Sequence, residues 1–121
     1  MIGYIIEIVH MDGYKEYFCA LKKTDNHRVN LITTHRQDDA EVMYSKEKAK
    51  PIIDMLLNND KYILNISFIN PISQCWIRKV RVDMKPVVTR ISDGSDEMFP
   101  RAGEYIGIDG PSIKTKPIKA L

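Results

Sequence analysis

IGYIIEIVHMDGYKEYFCALKK, residues 2–23, is the stretch from which the fold is read. Its first arm is rich in β-branched and aromatic residues, and the second resumes that pattern after Met11-Asp12-Gly13. An Asp-Gly pair between two such arms is a strong short-range hairpin signal. Alternation places Tyr17, Cys19 and Leu21 on one face of the second arm, with Phe18, Ala20 and Lys22 on the other.

Working outward, TDNH is a loop and RVNLITT (28–34) a third strand; HRQDDA is a second loop, and EVMY (41–44) a short strand returning to the same sheet. The helix begins near Ser45, a good N-cap because its hydroxyl can accept from backbone N–H groups that lack helical partners. Ala49, Ile52, Ile53, Leu56 and Leu57 recur at helical spacing as one apolar stripe. Pro51 is discordant, so the helix either starts later, near Lys50, or bends there.

YILNISFI (62–69) alternates as a strand, Asn70-Pro71 breaks it, and QCWIRKVRV (74–82) follows as its partner. VVTRIS (87–92) is a further strand. DGSDEMFPRAGEYIGIDGP reads as a long loop with YIGI (105–108) as a brief strand. The order ββββαβββ predicts an α+β fold, a mostly antiparallel sheet with one main helix packed on one face. Residues 1–110 are expected to form a single domain and 111–121 a flexible basic tail.

The apolar fraction of 44% and charged fraction of 28% are ordinary for a globular chain, which argues against general disorder. No apolar run reaches the roughly 18 residues of a membrane span. The N-terminus makes a poor signal peptide, with Glu7 inside its apolar stretch, so the expected location is the cytoplasm. Cys19 and Cys75 form no CxxC pair, so they are expected to be free thiols, with no metal and no cofactor. Residues 1–60 carry 8 Lys and Arg against 10 Asp and Glu, whereas residues 61–121 carry 10 against 6. This asymmetry hints at an anionic partner for the second half.

The candidate contact residues lie in that half. Trp76, Arg78, Val80 and Val82 point one way on a strand, and Cys75, Ile77, Lys79 and Arg81 the other. Arg78, Lys79, Arg81, Lys85 and Arg90 could form a basic patch for phosphates, with Trp76 stacking on a base. The bland alternative is an edge strand whose long cationic stems cover apolar surface. The loop from Asp93 adds Met98, Phe99, Arg101 and Tyr105, types that dominate interfaces; Phe99 and Tyr105 could equally pin the loop to the core. His35 precedes Asp38 and Asp39, a pattern that serves a general base but is also what a solvated loop looks like. No nucleophile motif is present, and a non-enzymatic protein is expected.

The run YIIEI, DG, EYFCAL, followed by DAEVMYSKEKAKPIIDMLL, resembles the layout of small bacteriophage accessory proteins, in which a β-hairpin and short strand precede a helix. That resemblance implies a phage-encoded protein of early infection that inhibits a host or defence component by occupancy in the host cytoplasm. It also leaves room for a nucleic-acid binder or a sponge for a signalling nucleotide. The partner expected first is a host protein, and open sheet edges make a homodimer a further expectation.

Overall fold

The computed structural model describes residues 1–24, 28–58, 71–83 and 87–101. The fold is α+β: strands β1 (Ile2–His10), β2 (Lys15–Lys23), β3 (Val29–Thr34), β4 (Ile72–Val82), β5 (Val88–Arg90) and β6 (Glu97–Pro100), with helix α1 (Lys46–Asn58) between β3 and β4. All the pairings are antiparallel. The sheet order is β3-β2-β1-β4-β5, and β6 pairs with β4 beside β5.

The opening hairpin closes through three residues, Met11 to Gly13. The Gly13 N–H donates to the His10 carbonyl at 2.9 Å, and the His10 N–H to the Tyr14 carbonyl at 2.8 Å. Gly13 sits at φ 91°, where a side chain would be strained, and this is why the turn needs its glycine. The expected alternation in β2 stops at Cys19. Phe18 pairs with Thr33 but Ala20 with Ile32, so Cys19 is an extra residue, and Phe18 and Leu21 both reach the main core. A bulge of this kind turns the strand.

Beyond Tyr17, β2 leaves β1, and residues 41–43 enter the gap. The Glu41 N–H donates to Phe18, while Tyr4 and Met43 exchange both backbone bonds. The strand expected at EVMY is thus one bridge, at Met43. Val42 lies against the bare Cα of Gly3; a Cβ there would collide with Val42 Cγ1.

The main core lies between α1 and one sheet face, and includes Ile6, Ile8, Phe18, Leu31, Ala49, Ile53, Leu56, Cys75 and Ile77. The predicted helical stripe faces it, with Ile52 partly buried at its margin. The helix starts at Lys46 and runs through Pro51, so the later start near Lys50 is not what forms. The opposite sheet face holds a smaller cluster of Ile5, Ala40, Val80 and Val88.

β4 pairs with β1 from Ile2 to His10, and its other edge is taken by β6 and by β5, the next strand in the chain, with which it forms a hairpin. One expectation needs correction. The loop expected from residue 93 contains β6, whose four residues pair with Gln74 to Ile77. The strands expected at 62–69 and 105–108 and the tail 111–121 lie outside the described residues.

Candidate binding surface

The registers assemble the site from β4 outward. Trp76 stands opposite Glu7 on β1 and Met98 on β6, and Glu7 stands opposite Tyr17 on β2. Directly opposed residues of an antiparallel pair share a face. Met98, Trp76, Glu7 and Tyr17 therefore form one row across four strands, on the face away from α1. Arg78 follows one step along β4, and its guanidinium carbon lies 4.0 Å from the Trp76 ring centroid. That is cation–π distance.

Arg78 is the hub of a buried ionic chain. Its Nη2 and Nε donate to Glu7 Oε1 at 2.6 and 3.2 Å, and its Nη1 to Asp96 Oδ2 at 3.1 Å. Arg90 Nη2 donates to that same Asp96 oxygen at 2.8 Å. The other Asp96 oxygen accepts the backbone N–H of Lys79 at 3.0 Å. Asp96 so fills the stretch of β4 between the residues paired by β6 and those paired by β5.

Two guanidinium groups meet two carboxylates, and the chain is neutral. Burial alone would raise the Asp96 carboxyl, but the Lys79 N–H together with Arg90 and Arg78 outweighs it and holds the group below the usual carboxylate range. Burial and the nearby Glu7 carboxylate raise the Tyr17 phenol. Arg90 Nε and Ser95 Oγ are buried without a partner. Such groups carry a desolvation cost that a bridging water would relieve.

The expected contact residues do not gather in one patch. Trp76, Arg78 and Arg90 share this face. The backbone of Lys79 contributes here, but its side chain points to the other face and pairs with Asp93 at 2.7 Å. Arg81 points the same way as Lys79 and is exposed. Phe99 packs against the main core. Arg101 is 6% exposed, and its Nε donates to the Leu57 carbonyl at 2.9 Å, capping the end of α1. Tyr105 and Lys85 lie outside the described residues.

Glu7, Asp96 and Tyr17 escaped the sequence reading. The available signal was the single charge of Glu7 inside the apolar run YIIEIV. An acid on a buried face calls for a cation, and β4 supplies the nearest ones.

A second polar cluster sits at the hairpin end. His10 Nε2 lies 2.7 Å from Glu16 Oε2, and Thr33 Oγ1 donates to Glu16 Oε1 at 2.7 Å. The bond with His10 is the main reason the Glu16 carboxyl lies below its usual range, which makes it a weak proton acceptor. His35 faces the Tyr14 hydroxyl rather than Asp38 or Asp39, which both pair with Arg36. Burial pushes the Cys75 thiol up to about 12, so it stays protonated. Cys19 and Cys75 are both free. Among the described residues no group of three His, Cys, Asp or Glu could hold a metal, and no helix is long and apolar enough to cross a membrane.

No protein-family model, curated protein or solved structure matches the chain.

Proposed function

We propose that the protein is a non-enzymatic binding protein that inhibits a protein partner by occupancy, and that its contact surface is the row Met98, Trp76 and Tyr17 with Arg78 behind it. The bacteriophage resemblance supplies the setting, a host or defence component met in the host cytoplasm. One observation carries the choice of a protein partner over a phosphate: Arg78 and Arg90 already hold Glu7 and Asp96. A phosphate arriving there would have to displace buried carboxylates and would meet no net positive charge. A tryptophan fixed by a guanidinium stack, with a methionine on the next strand and a tyrosine two strands away in the same row, has the composition of an interface anchor. Its preorganisation lowers the ordering cost of binding.

The test is affinity capture from host lysate with and without nuclease, at two salt concentrations. The expected result is one protein band that survives both treatments and is lost with Trp76→Ala and with Met98→Glu. Met98 is exposed, so its substitution tests contact without disturbing the fold. A nucleic-acid smear removed by high salt would replace this reading with the phosphate-directed one. A bound nucleotide released on denaturation would do the same.

A further inference from the structure

Glu7 is a charge set inside the apolar run of β1, with its side chain only 6% exposed. Its fellow acid Asp96 has backbone to hold as well as cations, since it accepts the Lys79 N–H between the β6 and β5 pairings. Glu7 has no such duty. Among the described residues its carboxylate accepts from side chains alone, the Arg78 guanidinium and the Tyr17 phenol. A buried ion pair is weak ground for stability, because apolar residues of similar volume serve a core as well. What this pair does secure is the state of Arg78.

The contacts show which state that is. Glu7 Oε1 takes both Nε and Nη2 of Arg78, at 3.2 and 2.6 Å, and Asp96 takes Nη1 at 3.1 Å. The Nε–Nη2 edge is one with which an arginine grips a phosphate as a two-pronged fork. A carboxylate standing on that edge is an internal substitute for phosphate, supplied by the fold. The Trp76 ring lies against the same guanidinium at 4.0 Å. An arginine edge beside an aromatic ring would otherwise suit single-stranded nucleic acid, whose bases stack and whose phosphates pair with cations. Glu7 and Asp96 cancel Arg78 and Arg90; without the Glu7 charge the same chain carries one net positive charge.

We infer that Glu7 is a specificity-determining residue, which closes the Trp76–Arg78 surface to phosphate and keeps it for a protein. Discrimination comes from an element that disfavours the wrong partner as much as from one that favours the right one. This role rests on the contact row proposed above and adds what that row rejects.

Trp76 is the only tryptophan of the chain, so its fluorescence reports on the row directly. The probe is a short oligodeoxythymidine, titrated at several salt concentrations into the wild type and into Glu7→Gln. That substitution keeps the shape of the side chain and removes its charge. The variant is expected to bind about tenfold more tightly at low salt, with Trp76 emission quenched by stacking. Its affinity should also fall more steeply with salt, the slope growing by about 0.7, as one additional phosphate contact predicts for a single strand. Glu7→Asp keeps the charge and gains nothing, and Glu7→Gln/Arg78→Met loses the gain. Equal affinities of the wild type and Glu7→Gln would overturn the inference. So would a gain without salt dependence, a gain shared by Glu7→Asp, or one that survives Arg78→Met. A Glu7→Gln protein with the red-shifted emission of an unfolded chain would overturn it too, because the carboxylate would then serve the fold itself. Capture of a protein partner by the wild type is measured apart from these titrations, so the proposed function and this role of Glu7 fail separately.

Discussion

Arg101 donates to the carbonyls of Leu57 and Leu56 at the end of α1, and its own N–H donates to the Ser73 carbonyl on β4. Helix ends leave such carbonyls without partners, and a buried one is costly unless a donor reaches it. One side chain thereby ties the helix end to β4 and β6. Replacing it with Met keeps the apolar stem and removes the donors. Arg101→Met is expected to lower the unfolding free energy by about 2 kcal/mol. Arg101→Lys recovers only part of this, because an ammonium lacks the planar fork. Urea denaturation measures both. A stable Arg101→Met protein that no longer captures its partner would instead assign Arg101 to the contact surface, where its residue type alone had placed it. Residue type misled here because an arginine on a polar loop and one folded under a helix end look the same in a sequence.

Periodicity carries over to elements when it runs unbroken, and fails where one residue interrupts it. The hairpin turn, β3, α1 and the two faces of β4 all follow from local pattern, since Cys75 and Ile77 reach the main core and Val80 the other cluster. The Cys19 bulge did not, because an inserted residue leaves the composition of a strand unchanged. β6 was hidden for another reason. Its four residues are too few to show alternation, and long-range pairing with β4 makes them a strand. The helix retains a local conflict at Pro51, which is exposed and leaves the Glu47 carbonyl without its intrahelical donor. Pro51→Ala restores that bond and loses no packing, but it also frees the unfolded chain. The net gain expected is about 1–3 kcal/mol, read as a higher urea midpoint with an unchanged slope. A less stable variant would mean that the proline fixes the helix entry in a way the hydrogen-bond count misses.

Across the whole molecule, carboxylates join strands that are distant in sequence. Glu16 links β1, β2 and β3 through His10 and Thr33, and Asp96 links β4 to β5 and to the loop before β6. None of these partnerships was legible beforehand, because each depends on strand order and register. Both carboxyls lie below their ordinary values in the folded protein. A group depressed in this way contributes stability above its unfolded pKa, and the contribution is lost as pH falls through its folded pKa. Stability is therefore expected to be level toward neutrality and to fall below about pH 4, where unfolded Asp and Glu titrate. Glu16→Gln and Asp96→Asn are each expected to lower the pH 7 stability and to flatten part of this acid limb. The two groups sit in separate clusters, so the double variant should lose the sum of the two contributions. It should also approach the wild type as pH drops, since protonation has by then removed the same charges from both proteins. Urea midpoints between neutrality and pH 3 check this. An acid limb equally steep in the double variant would show that other carboxyls set the acid stability of the sheet.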